Sequence, residues 1–595
     1  MAHKIWLVVF LTTYTALVTS AQISLDWWQT TVFYQVYPRS FKDSDGDGVG
    51  DLNGITSKLD HLVDAGIGSV WLSPIYKSPM ADFGYDIANF TDVDPIFGNL
   101  DDFDKLQSRA KELGLKLILD LVPNHTSNES IWFINSVKKI DPYTDYYVWI
   151  DPKYDENGNR VPPTNWLSAF GGSAWEWREE RQQYYLHQFV VQQPDLNYEN
   201  PRVVEEMKNA IRFWLDKGVD GFRVDAVPYL FEDQELRDEP LSGDSSALPT
   251  EANYLNHIYT QNLPGTYDMV QQWREVVDQK TAETGESKIL MLETYAPLKK
   301  VMEYYGTQER PGGQFPFNFV MIEDLNINST AYDFNTTIHE WMDNMPSWGW
   351  PNWVIGNHDQ KRVGTRFGPG KIDIMNVISL LLPGSGITYN GDEIGMVDEI
   401  ISYEDTVDPA GVNAGPDRYQ LFSRDPCRTP FQWDNTTSAG FSTSTKTWLP
   451  VNPNYLTLNL EAEVEAVTSH YKVYQKAVAV RNFPTIQRGS LKVVPLSEQV
   501  LAFSRELEEN PPFVVVVNLG DNKENVNLAV DDFENIPNDL VVYLSSVNSK
   551  KQQGSAVDKS DLDLDPEEIL ILTTSRGYIC VVHSLLYCCA FKLFM

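Results

Sequence analysis

Residues 100–122, LDDFDKLQSRAKELGLKLILDLV, join a helical pattern directly to a strand pattern. The helical pattern is carried by apolar residues three or four positions apart, namely Leu100, Phe103, Leu106, Ala110 and Leu113. Gly114 suits the C-terminal cap of such a helix. The apolar run at residues 116–122 begins at once and is typical of a parallel strand that is buried on both faces. The stretch therefore predicts one helix followed by one strand of a parallel sheet.

Similar short apolar runs occur along most of the chain and are separated by helical patterns. They lie at residues 32–36, 69–74, 221–225, 288–293, 315–321, 353–359 and 386–389. Continuous apolar strands that alternate with helices indicate βαβ units and an α/β fold. With residues 116–122 they make about eight strands, the number that closes a (β/α)8 TIM barrel.

Two regions depart from this alternation. Residues 126–193 are rich in Trp, Tyr, Pro, Gly and Asn and are too long for an ordinary loop, which predicts a subdomain B inserted after strand 3. Residues 485–574 show strand-like runs with almost no helical periodicity, which predicts a separate C-terminal antiparallel β domain. The catalytic barrel would then comprise residues 22–125 and 194–484.

Composition and charge exclude several functional classes. The 595 residues carry 47 Lys and Arg against 83 Asp and Glu, and the net charge of -36 would repel phosphate backbones. Nucleic acid is therefore not expected as a partner. A hydrophobic content of 42% also excludes a disordered acidic chain. Only Cys427 lies in the body of the chain, and we expect it to be a buried free thiol.

The two ends predict a secretory compartment. Residues 1–21 have the basic, apolar and small-residue regions of a signal peptide. The hydrophobic tail at residues 575–595 fits a signal for attachment to the outer cell surface poorly, and a membrane attachment through this tail is the alternative to a freely secreted protein. Candidate glycan sites fit the same compartment and lie at Asn89, Asn128, Asn328, Asn335 and Asn435.

Carboxylates end three of the predicted strands, at the face of a barrel where functional groups gather. The period of two places Arg223 and Asp225 on one face of their strand, where the guanidinium is expected to lower the pKa of Asp225 and keep it ionised. Glu293 follows an apolar strand, and desolvation can keep such a carboxyl protonated. Asp359 follows His358 at the end of a third strand. Two carboxyls in unlike environments are the groups that glycoside hydrolysis needs.

Each of these residues alone has a structural explanation. Arg223 and Asp225 could form a structural ion pair, and a lone carboxylate at a strand end is often a helix cap. His125 and His358 could be hydrogen-bonded structural histidines. Their ordered occurrence on successive strands favours the catalytic interpretation.

Five motifs in order carry a resemblance to a known family. They are Asp120 to His125, Gly221 to Asp225, Leu292 to Thr294, Gly356 to Asp359, and Gln193 to Asn197. From about Trp27 to Leu572 the chain resembles glycoside hydrolase family 13, the α-amylase family, and most of all its maltase and oligo-α-glucosidase branch. The resemblance implies that Asp225 is the nucleophile, Glu293 the acid/base and Asp359 the carboxylate that stabilises the transition state.

The resemblance also implies a substrate pocket. Asp82 would bind hydroxyls of the terminal glucose, Tyr85 would stack under its ring, and Asp82 with Arg428 would close the nonreducing end, which implies exo action. The implied substrate-binding residues are Asp82, Tyr85, His125, Phe189, Gln193, Arg223, His358 and Arg428.

The implied activity is that of a retaining α-glucosidase acting on maltose, sucrose and short malto-oligosaccharides. In the family the residue after the nucleophile separates α-1,4 from α-1,6 preference as Thr or Val, but here it is Ala226, which leaves the linkage open. A transglucosidase or a sucrose isomerase is an alternative, since these differ only in how water competes with a sugar acceptor.

A third class resembles the same family, the noncatalytic heavy chains of amino-acid transporters. Those proteins carry a cytosolic N-terminus and a full membrane span, and some have lost catalytic carboxylates. The sequence here shows neither feature, so a scaffold role is the less favoured interpretation.

An acidic loop near the N-terminus predicts a metal site. Residues 43–51, DSDGDGVGD, place carboxylates at alternate positions around glycines, so that oxygen ligands can converge on a hard cation. The alternative is an acidic turn without a metal. The family resemblance supports a structural Ca²⁺ held by Asp43, Asp45, Asp47, the Val49 carbonyl and Asp51.

Overall fold

The computed structural model describes residues 24–578. The predicted signal peptide and residues 579–595 of the predicted tail lie outside this range, so both remain predictions. Within residues 24–578, no helix combines the length and the apolar character needed to cross a membrane.

Eight parallel strands form the central sheet, as predicted. They are β1 Val32–Val36, β2 Ser69–Leu72, β3 Lys116–Leu121, β4 Gly221–Val224, β5 Ile289–Leu292, β6 Phe315–Pro316, β7 Asn352–Val354 and β8 Ser385–Tyr389. A helix follows each strand, and these are α1 Leu52–Asp64, α2 Leu100–Glu112, α3 Pro201–Asp216, α4 Pro264–Thr284, α5 Leu298–Glu303, α6 Ala331–Asn344, α7 Ile372–Leu381 and α8 His470–Val480. The alternation confirms the (β/α)8 barrel.

The strands follow one another around a nearly closed barrel in the order β6-β5-β4-β3-β2-β1-β8-β7, and every neighbouring pair is parallel. A side chain bridges the seam between β6 and β7. The side-chain Nδ2 of Asn352 donates to the Pro316 carbonyl over 2.7 Å, and its Oδ1 accepts from the backbone N–H of Asn318 over 2.9 Å. Because proline has no N–H, Pro316 cannot continue a backbone ladder on its own.

The prediction of a strand at residues 315–321 is correct for the first two residues and wrong for the rest. Strand β6 ends at Pro316, and Val320–Glu323 is a short helix. The Asn318 side chain accepts from the Val320 amide over 3.2 Å, so a local hydrogen bond replaces a strand contact at this point.

Alternate residues of the strands fill the barrel interior. Phe33, Trp71, Ile118, Met291 and Ile387 belong to one buried cluster. Residues next to the first four in sequence join the larger core outside the strands, namely Tyr34, Val70, Leu117 and Leu290. This is the period of two expected for strands buried on both faces. The packed interior leaves the carboxyl ends of the strands as the place for a site.

The two departures from the barrel pattern have their own sheets. Residues 126–193 contain a three-stranded antiparallel sheet formed by Trp149–Ile150, Gln183–Leu186 and Trp175–Arg178. The C-terminal antiparallel sheet is present as predicted. Its strands are β9 Ser490–Pro495, β10 Val500–Glu506, β11 Phe513–Asn518, β12 Leu540–Ser545 and β13 Ile569–Thr574. They lie in the order β9-β10-β11-β13-β12.

Candidate active site

One guanidinium connects three carboxylates at the carboxyl ends of β3, β4 and β5. Arg223 Nη1 lies 2.5 Å from Asp225 Oδ1 and 2.7 Å from Asp120 Oδ1, and its Nη2 lies 2.6 Å from Glu293 Oε1. The register of the sheet places Arg223 beside Asp120, and the guanidinium lies over the ring of Trp71. Charge-assisted contacts of this length hold the side chains in fixed positions. Two of the three predicted catalytic carboxylates, Asp225 and Glu293, are therefore held by the same cation.

The turn after Asp225 supplies a further contact. Ala226 has a positive φ of 47°, and its backbone amide donates to Glu293 Oε2 over 2.9 Å. One oxygen of Glu293 thus contacts Arg223 and the other contacts the turn that follows Asp225. The orientation of the predicted acid/base depends on the backbone next to the predicted nucleophile.

The prediction that Arg223 keeps the pKa of Asp225 low is wrong. Burial raises the pKa of Asp225 well above its ordinary value, and the charges of Glu293, Asp120 and Asp359 act in the same direction. Arg223 opposes these effects but is outweighed, because one cation is shared among three carboxylates. Burial likewise raises the pKa of Asp120 to about 7. Burial and the neighbouring carboxylates thus favour the protonated forms of Asp225 and Asp120, whereas Arg223 favours their ionised forms.

Asp359 lies in the opposite electrostatic environment. Burial acts to raise its pKa, but the Nε2–H of His358 and the guanidinium groups of Arg428 and Arg424 together outweigh burial, and the pKa is lowered. Arg428 Nη2 lies 2.9 Å and Arg424 Nη1 3.3 Å from Asp359 Oδ1. The surroundings of Asp359 consequently stabilise its ionised form.

His358 is held between two aromatic rings. Tyr85 stacks on it with ring centroids 5.3 Å apart, and Tyr37 stacks at 5.6 Å. The Gln35 amide donates to Nδ1 over 2.8 Å, while Nε2 faces the Tyr85 hydroxyl at 2.6 Å and Asp359 Oδ2 at 3.3 Å. Burial lowers the pKa of His358 well below its ordinary value, so this arrangement leaves a neutral ring with its proton on Nε2.

A second guanidinium closes one end of the site, and it is not the predicted one. Arg424 Nη2 lies 2.8 Å from Asp82 Oδ1 and 2.6 Å from Asp408 Oδ1. Arg428, expected to close the nonreducing end together with Asp82, is fully buried and donates from Nε to the His358 carbonyl over 2.7 Å. The two arginines flank a short turn at Asp425–Cys427, and no sequence pattern indicates which of them faces Asp82.

A pocket of about 350 Å³ lies above these groups. Its size is within the range of small-molecule sites. Eight of the predicted residues line it, namely Asp82, Tyr85, His125, Phe189, Asp225, Glu293, His358 and Asp359. The other three predicted residues, Gln193, Arg223 and Arg428, are buried against members of that set.

Two of these predicted residues support the pocket wall. Gln193 Nε2 donates to Asp82 Oδ2 over 3.2 Å and holds that carboxylate from within the protein. His125 Nε2 donates to the Tyr85 carbonyl over 3.1 Å, and burial lowers the pKa of His125 to about 4. His125 is therefore neutral in the free site.

The site contains residues that the sequence analysis did not predict, among them Asp120, Phe170, Tyr229, Tyr295 and Arg424. Asp120 belongs to a motif already singled out, so its signal was available, and Arg424 lies four residues before the predicted Arg428. Tyr295 stacks on Phe319 at 4.1 Å, and it could have been found only from its place two residues after Glu293. Phe170 lies in a turn and Tyr229 ends a 3₁₀ helix of three residues, Val227–Tyr229, so neither lies in a segment long enough for a periodicity to indicate its orientation.

The acidic loop brings together three of its predicted ligands. One oxygen from each of Asp43, Asp45 and Asp51 lies within 4.8 Å of the others. Asp47 is separate from this cluster, and its Oδ1 accepts from the Val49 amide over 2.8 Å. Asp51 also caps α1 by accepting from the Gly54 amide. The clustered donors are hard carboxylate oxygens, which fit Ca²⁺.

Comparison with known proteins identifies the family. The model of the alpha-amylase catalytic domain matches residues 35–489. The chain belongs to the alpha-amylase family, glycoside hydrolase family 13. The match spans all eight barrel strands except the first three residues of β1, as well as the carboxylates of the site.

Several curated members of the alpha-amylase family are similar over most of their length. Maltase 1 of Drosophila virilis is 50% identical over 552 residues, which cover 92% of this chain and 87% of that protein. The salivary alpha-glucosidase of Anopheles gambiae is 47% identical over 556 residues, 93% of this chain and 94% of that protein. The human amino acid transporter heavy chain SLC3A1 is 40% identical over 563 residues, 93% of this chain and 79% of that protein.

Solved structures in the alpha-amylase family share the fold. The alpha-glucosyl transfer enzyme XgtA has a TM-score of 0.82 and 34% identity, covering 93% of this chain and 100% of its own. The trehalulose synthase MutB from Pseudomonas mesoacidophila has a TM-score of 0.80 and 32% identity, covering 92% and 100%. The chain is therefore similar both to hydrolases and to glucosyl-transfer enzymes of the family.

Proposed function

We propose that the protein is a secreted, retaining, exo-acting α-glucosidase that releases α-glucose from the nonreducing ends of maltose, sucrose and short malto-oligosaccharides. One observation carries the proposal. Arg223 binds Asp225 and Glu293 on neighbouring nitrogens of one guanidinium at the pocket. The names of the maltase and α-glucosidase relatives support the same activity.

In the proposed first step, Asp225 attacks the anomeric carbon while Glu293 protonates the leaving glycosidic oxygen. A covalent glucosyl ester on Asp225 results, and the aglycone departs with the proton from Glu293. In the second step Glu293 takes a proton from water, and the resulting hydroxide equivalent displaces Asp225. Two inversions give overall retention. Because Arg223 contacts both Asp225 and Glu293, it favours the short distance between the two carboxyl groups that the retaining mechanism needs.

Exo action follows from the closed end of the pocket. Asp82 and Arg424 form an ion pair of 2.8 Å there, with Gln193 holding Asp82 from within the protein. A terminal glucose can offer its hydroxyls to this pair, whereas a sugar extended at its nonreducing end would collide with it. The linkage preference stays open, since Ala226 fits neither of the two family alternatives.

Glucose release from maltose, isomaltose and sucrose tests the proposal, together with the anomeric form of the product by NMR. The Asp225→Asn variant should lose at least about 10⁴-fold in kcat. Asp220→Asn is the matched control, because Asp220 is also a buried carboxylate in an ion pair, here with Lys288, but precedes β4 at the opposite end of the strand. A folded wild-type protein as inactive as Asp225→Asn would reject the enzyme and favour a scaffold role like that of the heavy chains.

A glucosyl-transfer activity is the second candidate, and the similarity to XgtA and MutB favours it. Both reactions would pass through the same glucosyl ester on Asp225. They differ in whether water or a sugar hydroxyl attacks that ester. Incubation with concentrated sucrose decides between them, since hydrolysis yields glucose and fructose in equal amounts, while transfer yields new disaccharides or oligosaccharides.

Secretion rests on the signal-like residues 1–21 and on similarity to salivary α-glucosidases. Expression in insect cells tests it through the protein recovered in the medium and through its glycan mass. Recovery on the cell surface instead would favour the alternative, attachment through the hydrophobic tail.

A structural Ca²⁺ in the loop at residues 43–51 is part of the proposal. Asp43, Asp45 and Asp51 would hold the ion, which would stabilise the loop between β1 and α1 and take no part in catalysis. Removal of calcium with a chelator should lower Tm, and calcium should restore it. Asp45→Asn should abolish this response, whereas Asp141→Asn, an exposed carboxylate elsewhere, should keep it. An unchanged Tm in the wild type would favour the metal-free acidic turn.

A further inference from the structure

The buried carboxylate of Asp408 contacts both the guanidinium and the backbone N–H of Arg424. Its Oδ1 lies 2.6 Å from Arg424 Nη2 and 3.1 Å from Nε, and its Oδ2 accepts from the Arg424 amide over 2.7 Å. Asp408 is fully buried, so it contacts no solvent and acts only through its neighbours. Two oxygens on one guanidinium edge fix both the position and the plane of that group.

The backbone at Asp408 is in turn held by hydrogen bonds to the side chain of Asp425. Asp425, the residue after Arg424, accepts on Oδ2 from the amides of Val407 and Asp408 over 2.8 and 3.0 Å. The segments at residues 407–408 and 424–425 therefore bind each other reciprocally. This pairing makes Asp408 a rigid partner for a long side chain that would otherwise sample many rotamers.

The opposite side of the Arg424 guanidinium faces the pocket. From there it reaches Asp82 over 2.8 Å and Asp359 over 3.3 Å. Asp359 has a second cation in Arg428, at 2.9 Å, whereas the ion pair of Asp82 is made with Arg424. A displaced Arg424 would therefore disturb the closed end more than the reacting end of the pocket.

We propose that Asp408 is a positioning residue that holds Arg424 across the closed end of the pocket and thereby sets the affinity for the terminal glucose. The inference rests on the proposed α-glucosidase function and assigns part of its substrate specificity to a residue outside the pocket. The ligand class is a nonreducing glucosyl unit, whose hydroxyls bind carboxylate and guanidinium groups together. Asp408 would contribute to binding while remaining out of contact with the sugar.

The test compares Asp408→Asn with Asp220→Asn, a buried carboxylate in a lysine ion pair before β4. Calorimetric binding of glucose alone and steady-state kinetics with maltose are measured for both. For Asp408→Asn we expect the Kd for glucose and the KM for maltose to rise at least about tenfold, with kcat within about threefold. The Asp220→Asn control should leave Kd and KM unchanged. Unchanged Kd and KM in a folded Asp408→Asn, or a loss confined to kcat, would overturn the inference.

A second pair of variants separates positioning from stability. In an Arg424→Gln background, Asp408→Asn should cause no further rise in Kd or KM, because its effect passes through Arg424. Asp408→Glu, which keeps the charge, should recover part of the glucose affinity even if Asp408→Asn folds poorly. An additive effect in the Arg424→Gln background would contradict the proposal.

The same measurements distinguish a failure of the role proposed for Asp408 from a failure of the proposed α-glucosidase function. If the wild type binds glucose but Asp408→Asn binds it equally well, only the role of Asp408 fails. If the wild type neither binds glucose nor hydrolyses maltose, the proposed function fails and with it the basis of the inference.

Discussion

Two guanidinium groups organise the pocket, and they are built in different ways. Arg223 lies on β4 and binds carboxylates that end neighbouring strands. Arg424 lies in the long connection after β8 and binds Asp82, Asp359 and Asp408, which come from three distant parts of the chain. The strand register fixes the first centre, whereas loop packing fixes the second. A centre on adjacent strands is therefore more rigid and easier to recognise than one assembled from loops.

The two centres also differ in charge balance. Around Arg223 the carboxylates exceed the cations, and burial raises the pKa of Asp225. Around Arg424 a second guanidinium, Arg428, is close by, and the pKa of Asp359 is lowered. We interpret the first centre as the place of proton transfer and the second as the place of substrate binding. Substitutions at the two centres should therefore change different kinetic constants.

The largest effect is expected from Arg223→Gln. The change leaves three buried carboxylates without their common cation, and kcat/KM for maltose should fall about 10³-fold. The loss should lie mainly in kcat, and circular dichroism should show that the barrel is retained. A loss confined to KM would mean that Arg223 binds substrate, and the contrast between the two centres would disappear.

The pH profile of the Arg223→Gln variant sharpens the same point. Arg223 lowers the pKa of Asp225 against the larger effect of burial, so its removal should raise that pKa further. A nucleophile must be ionised, and the ionised fraction of Asp225 at a given pH would then be smaller. The acid limb of kcat/KM should therefore move to higher pH. A limb at the same pH would show that it reports a group other than Asp225.

An intermediate effect is expected from Arg424→Gln. Asp82 and Asp408 would lose their ion-pair partner, and the KM for maltose should rise about 10- to 100-fold. The change in kcat should be smaller, because Arg428 still contacts Asp359. Steady-state kinetics with maltose and maltotriose measure this effect. A larger loss in kcat than in KM would assign Arg424 to the chemical step.

The smallest effect is expected from Phe170→Leu. The Arg424 guanidinium lies over the Phe170 ring at 4.9 Å, and loss of this cation–π contact should raise the KM for maltose about threefold. Phe422→Leu is the matched control, since Phe422 lies under Arg418 at 5.7 Å, and Arg418 instead pairs with Glu251. Equal changes in the two variants would show a general effect on the neighbouring loops.

The contrast also explains how much the sequence could predict. Periodicity located the eight strands, and the motifs at their ends located Asp225, Glu293 and Asp359 at one pocket. Strand β6 was overestimated because Pro316 and the Asn318 hydrogen bond end it early. The pKa of Asp225 was mispredicted because a sequence shows the neighbouring Arg223 but not the burial or the other carboxylates.

The closed end was mispredicted for a geometric reason. Arg424 and Arg428 lie four positions apart in the sequence, and a single turn at Asp425–Cys427 directs the first towards Asp82 and buries the second. Asp408 carries no motif, and its role depends on two loop segments that meet only in the folded protein. Loop conformation, which has no sequence period, limits prediction here.

The central claim is that Asp225 forms a covalent bond to glucose, and the most direct test is mass spectrometry of the trapped protein. A fluorinated α-glucosyl fluoride should react quickly and hydrolyse slowly, because fluorine destabilises the cationic transition state while fluoride leaves readily. A glucosyl ester on Asp225 predicts one sugar attached to the peptide that contains Asp225, and no attached sugar in the Asp225→Asn variant. A sugar on another residue, or an active wild-type protein that accumulates no adduct, would contradict the account.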